Sequence, residues 1–253
     1  MVEVSHTVWV VGLAFLVAGF VKGVTGMGLP PIAIGIMAVV LSPLQAAALV
    51  VVPATLTNVW QMLFGPGLVQ AFKRFWLLLT LICIGVAFGV GVLTGGGAGT
   101  ASLVLGLVLF VYALLGLFKF HMQVPARREP FASPVVGLLT GFLAGATGVS
   151  SVPSAPYLNS LGLSKEALLQ ALGLVFTVGT AALGVGLYLK EQFQFDAAWE
   201  STLCLVPTVL GMYLGQRCRA MLSPEKFKIV FFWGLLSLGA YMIFRALRVV
   251  WLG

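Results

Sequence analysis

Apolar segments long enough to cross a bilayer recur from one end of this chain to the other, and little else can be built from such a pattern. Val8–Gly23, Leu44–Phe64, Phe75–Thr94, Ala101–Phe118, Ala167–Leu189, Trp199–Gln216 and Phe227–Val250 each approach or exceed the roughly 20 residues that a spanning helix needs. Shorter stretches, Ile32–Leu41, Pro134–Ala146 and the run up to Leu161, lie between them. Only 8% of residues are charged, against about 25% in a soluble domain. A hydrocarbon solvent is the environment that tolerates this composition. The expectation is an all-α, polytopic membrane protein of eight to ten hydrophobic helical segments. The longest polar stretch, Lys119–Ser133, reads as a linker.

The two halves repeat one another. Gly19–Gly28 (GFVKGVTGMG) aligns with Gly141–Ser150 (GFLAGATGVS). At the same offset of 122 positions, Pro31 falls on Pro153, Ser42 on Ser164 and Thr55 on Thr177. After a small insertion, Gly85xxxGly89 matches Gly211xxxGly215. A constant offset held this long points to duplication. The domain reading is a first transmembrane repeat at 1–120, a cytoplasmic linker at 121–132 and a second repeat at 133–253.

Loop charges orient the halves. Lys73/Arg74, the linker residues Lys119, Arg127 and Arg128, and the group Arg217, Arg219, Lys226 and Lys228 are assigned to the cytoplasmic side. The loop from Lys190 to Glu200, with Glu191, Asp196 and Glu200, is assigned outside. Equivalent loops of the two halves thus fall on opposite sides, which makes the pair an inverted-topology repeat with its N-terminus outside. Arg245 and Arg248 near the outer face run against this assignment. The first residues lack the basic region of a signal peptide, so Gly12–Phe20 is read as part of the first helix. The net charge of +7 is scattered among loops, which excludes a nucleic-acid surface and favours anions inside.

Each half is interrupted by a glycine-rich break, Gly23–Pro31 and Thr147–Pro156. Non-helical backbone at membrane depth survives where it lines a cavity or is packed in protein. Matched breaks are the best sequence pointer to a transport site. Glycines let amides approach an anion, helix N-termini attract one, and serine hydroxyls donate to its oxygens. The candidate binding residues are Lys22, Thr25, Gly26, Gly28, Thr55, Asn58, Thr147, Gly148, Ser150, Ser151 and Thr177. Lys22 stands out as a cation embedded in an apolar segment, a functional candidate by its cost alone. Its counterpart in the second half is Ala144, so the site is asymmetric. Two plainer alternatives remain: Gly19xxxGly23 and Gly141xxxGly145 as helix-packing motifs, and Lys22 snorkelling to an interface.

The seven acids, Glu3, Glu129, Glu166, Glu191, Asp196, Glu200 and Glu225, fall in loops or near helix ends, and His6 and His121 near segment ends. Cys83, Cys204 and Cys218 form no metal motif. These absences argue against an enzyme, a cofactor and a buried carboxylate proton relay. Uniport-like efflux of an anion fits them, and Na+ or H+ coupling stays open. A non-transporting scaffold or assembly factor is the competing class.

The duplicated Gly19–Gly28 and Gly141–Ser150 segments, Pro30-Pro31 and the glycine pairs at 85/89 and 211/215 resemble the TauE/SafE sulfite exporter family, also called TSUP, over nearly the whole chain. The resemblance implies transport of sulfite, organosulfur or related carboxylated anions across the cytoplasmic (inner) membrane. The glycine-Thr-Gly segments carry over as the substrate region. The partners implied are a small anion and the lipid bilayer, with no nucleic acid.

Overall fold

The computed structural model describes every residue except 1, 119–122, 126, 194, 220, 222 and 253; the side chains of 2–5, 98, 195, 197, 224–225 and 249–252 are also outside that description. Lys119 and His121, and the side chains of Glu3 and Glu225, therefore lie outside it. The described residues hold no strand and form α1 (Val2–Thr25), α2 (Leu29–Met37), α3 (Pro43–Leu63), α4 (Leu68–Gly95), α5 (Gly97–Leu117), α6 (Glu129–Thr147), α7 (Ser154–Asn159), α8 (Lys165–Leu189), α9 (Phe195–Leu203), α10 (Leu205–Cys218) and α11 (Pro224–Leu252). Seven of them, α1, α3, α4, α5, α6, α8 and α11, are long and apolar enough to cross a membrane. Large apolar side chains such as Phe88, Leu189, Val206 and Phe244 are exposed on the outside, as a lipid-facing surface requires. The chain is a multi-pass membrane protein.

Two pairs of helices are welded through glycine. A methyl group on Gly19 or Gly23 would lie 2.2 Å from the Thr208 carbonyl oxygen or 2.4 Å from that of Met212. From the other side, Gly211 and Gly215 sit against the carbonyls of Leu16 and Phe20. The order of these contacts makes α1 and α10 parallel. α4 and α6 repeat the arrangement: Gly137, Gly141 and Gly145 lie on the Leu78, Ile82 and Val86 carbonyls, and Gly85 and Gly89 on those of Leu138 and Phe142. The GxxxG spacing thus does what small-xxx-small spacing does in membranes, bringing backbones into contact. The remaining long helices pair antiparallel: α3 with α8, and α5 with α11.

α3 carries Pro53 inside it. Proline has no N–H, so the Leu49 carbonyl loses its helical donor. Ser201, fully buried on α9, fills the gap: its hydroxyl donates to Leu49 O at 2.7 Å and accepts from the Val52 N–H at 3.1 Å. Away from water this splice is needed. Ser201→Ala is expected to lower stability by about 1–3 kcal/mol, read as a fall in the melting temperature of the detergent-solubilised protein; an unchanged transition would show that the splice is dispensable.

Three boundaries differ from expectation. The stretch Trp199–Gln216 is two helices, α9 and α10, meeting at Cys204, because Pro207 cannot donate to the Leu203 carbonyl. The linker ends early: α6 starts at Glu129, with Pro130 in its first turn, and Glu129 pairs with Arg74 at 2.8 Å. The two breaks shrink to Gly26–Gly28 and Gly148–Pro153.

The Arg74–Glu129 pair joins the second turn of α4 to the first turn of α6. Gln170 accepts from Gly67 N–H, which adds the start of α8. Phe20 packs on Phe227, 6.2 Å between rings, which adds the start of α11. Lys73, Arg74 and Lys165 therefore gather at one end with the C-terminus of α10. Arg245 lies at the other end, where its guanidinium donates to the carbonyls of Ala38 and Val39 at 3.3 and 3.2 Å. There it neutralises the negative end of α2.

Candidate functional site

The centre of the molecule is the crossing of α3 and α8. Gly173 sits on Met62 and Gly184 on Val51, so the crossing is reciprocal at the offset of 122. Between these contacts the polar side chains collect. Thr55 Oγ1 donates to Thr180 Oγ1 at 3.1 Å. Thr180 in turn donates to Phe176 O, and Thr177 to Gly173 O at 2.7 Å. Ser150 joins them, since a methyl on Gly179 would meet its Oγ at 3.0 Å.

Lys22 enters this centre from the last turn of α1. It is 3% exposed. Its amino group points inward rather than to an interface: Nζ donates to Thr57 Oγ1 at 3.0 Å and to Asn58 Oδ1. The Thr57 hydroxyl sends its own hydrogen to the Pro53 and Ala54 carbonyls. No carboxylate pairs with Lys22 among the described residues. Asn58 is equally buried, and its Nδ2 has no hydrogen-bond partner. Leaving such a donor unmatched costs about 1–3 kcal/mol. Asn58 therefore presents a spare N–H donor, and Lys22 gains one whenever it is charged, in a region with no paired anion.

A cavity of about 260 Å³ reaches Lys22, against which Asn58 packs. Lys22, Gly23 and Gln170 form its buried floor, and Glu166, Gln216 and Arg219 its exposed rim. At about 30 Å³ per water, that volume admits a small oxyanion and several waters. The glutamines on its walls are fasteners: Gln61 donates to Leu169 O at 2.9 Å and Gln170 to Met62 O at 3.0 Å.

The two breaks are built alike. Gly26 and Gly148 both take φ +79°, and their N–H groups bond back to the Lys22 and Ala144 carbonyls at 2.7 and 2.8 Å. This is the left-handed glycine stop of a helix C-terminus. Thr25 donates to the Val21 carbonyl and Thr147 to that of Leu143, and each accepts the N–H two residues on. Both hydroxyl hydrogens are thereby spent on the backbone. The breaks do not meet. Gly26 lies by Gln61 and Gly148 by Ala47, positions about 21 Å apart along α3 at 1.5 Å per residue. Gly26 lines the cavity; Gly148 and Thr147 are not among its lining residues. Gly28 opens α2 at φ +96° against Phe231. Of the sequence candidates, then, Lys22 and Asn58 touch, Gly26 lies at their cavity, Thr55, Thr177 and Ser150 stand at the crossing, and Thr25, Thr147 and Gly148 terminate helices.

Ser151 Oγ is buried and unpartnered, close to the Tyr112 hydroxyl but outside hydrogen-bond geometry. Thr57, Tyr112 and Arg219 were not among the candidates. Thr57 had a signal, since it adjoins Asn58 on an apolar helix; Tyr112 and Arg219 had none that separates them from packing or loop residues.

Membrane-length helices enclosing a lysine-bearing polar centre, reached by a cavity from one end, define the architecture of a membrane transporter. A family model described as "Sulfite exporter TauE/SafE" matches residues 11–242. The chain belongs to the TauE/SafE family, whose members are membrane transporters of sulfite or related anions. No curated protein and no solved structure matches it.

Proposed function

We propose that this protein moves small anions, sulfite or an organosulfur or related carboxylate anion, outward across the cytoplasmic membrane by alternating access, with the anion bound at Lys22 and Asn58. The observation that carries this reading is a fully buried lysine at the end of an open cavity with no carboxylate beside it among the described residues. An intramembrane charge is costly, and a transported anion supplies the partner it lacks. The Asn58 carboxamide offers a second donor, and Arg219 at the rim draws anions toward the mouth.

Alternating access here rests on the halves being inverted copies. The reciprocal contacts of α3 with α8 and the exchanged pairs α1/α10 and α4/α6 support that reading. The welded pairs are suited to move as rigid bodies about the α3/α8 crossing. The cavity opens at the end that gathers Lys73, Arg74, Lys165 and Arg219, which the positive-inside rule puts in the cytoplasm, so the conformation described is the inward-facing one.

The test is flux of labelled sulfite, sulfoacetate, taurine and short carboxylates in proteoliposomes. Wild-type protein is expected to carry at least one of the anions well above protein-free vesicles. Asn58→Leu is expected to weaken its half-saturation about 10-fold, the loss of one hydrogen bond to a charged group. Absence of flux for the whole panel would favour the scaffold reading instead.

A further inference from the structure

We infer that Lys22 takes up one proton with each anion it binds, so that anion and proton cross together. This deepens the reading above and rests on anion binding at Lys22. Thr57 spends its hydrogen on the Pro53 and Ala54 carbonyls, so toward Lys22 its oxygen only accepts. Asn58 Oδ1 accepts as well. Two hydrogens on Nζ are therefore placed, which is the number an amine has. The third N–H, which an ammonium alone possesses, has no acceptor among the described residues.

The surroundings supply no fixed negative charge to hold it. α2 and α3 contain no titratable residue. On α10, Arg217 stacks on Tyr213 at 5.0 Å, and both are exposed. Cys218 is partly buried, and Lys226 and Lys228 of α11 are mostly exposed. Glu166 of α8 and Arg219 share the cavity with Lys22 but stand at its rim, with opposite charges. An arriving anion is the acceptor that completes the ammonium. The balance is one amine, one proton and one monovalent anion giving an ammonium–anion pair, neutral before and after. The loaded and empty centres then carry equal charge, and the membrane potential does no work on the cycle. This replaces the uniport expected from sequence: direction follows the sum of the anion and proton gradients.

Calorimetric titration of the purified full chain with methanesulfonate, which carries no proton of its own near neutrality, decides the matter. Above neutral pH, in buffers of different ionisation enthalpy, uptake of close to one proton per anion is expected. Affinity should fall about tenfold per unit of rising pH, because the loaded state holds the extra proton. Lys22→Arg, permanently charged, should bind with no proton uptake. Binding by the wild type with zero uptake would overturn the proton link and leave anion transport standing. No binding of methanesulfonate would overturn the anion site itself.

Discussion

Lys22→Met will abolish anion flux without loosening the fold. Methionine is of similar length and apolar, so it fills the same volume between α1 and α3. It removes a buried amino group whose charge no described carboxylate would balance, and replacing a buried ionisable group by apolar bulk of similar volume is commonly neutral or stabilising. Thr57 keeps its bonds to Pro53 and Ala54, and Asn58 loses one donor. A bound anion, in contrast, loses its one buried counter-charge among the described residues. Removing one partner of a buried pair costs about 3–5 kcal/mol, roughly 10²–10³-fold in affinity. The expected pair of results is a melting temperature equal to or above wild type and binding below detection. A variant that binds normally would remove Lys22 from the site. One that melts several degrees lower would make its role structural.

Gly141→Leu will prevent the protein from folding. Its first side-chain carbon would lie 2.1 Å from the Ile82 carbonyl oxygen and 2.8 Å from the Ile82 Cα. These are backbone atoms of a neighbouring helix and cannot rotate aside. Relief requires parting α4 from α6, which also breaks the contacts at Gly85, Gly89, Gly137 and Gly145. The cost exceeds the 1–3 kcal/mol typical of an overpacked core, and no monodisperse protein should be recovered in detergent. Gly91→Leu is the control: it is on α4, the partner helix of the weld, is exposed, and has nothing within 4 Å of the added carbon. Equal yields from the two variants would show that the weld does not hold the bundle together.

The glycine pairs and the glycine-Thr-Gly breaks show where local pattern stops informing. In sequence, Gly19–Gly28 is one motif. In the structure it divides: Gly19 and Gly23 pack a helix, Thr25 and Gly26 end it, and Lys22 alone reaches the centre. Spacing marks both kinds of glycine identically, because it records only that a side chain is absent. Which backbone fills the space is a long-range matter. Ser201 makes the same point, since nothing around it announces that it mends a helix 149 residues away.

Membrane-length apolar segments, the 122-residue offset and the isolated cation at Lys22 were legible in the chain itself, because burial in lipid taxes charge and backbone wherever they occur. The partners of Lys22, the separation of the two breaks and the cavity leading to Lys22 were decided by tertiary structure. They depend on α1, α3 and α8 crossing at one level, and a linear pattern carries no record of depth.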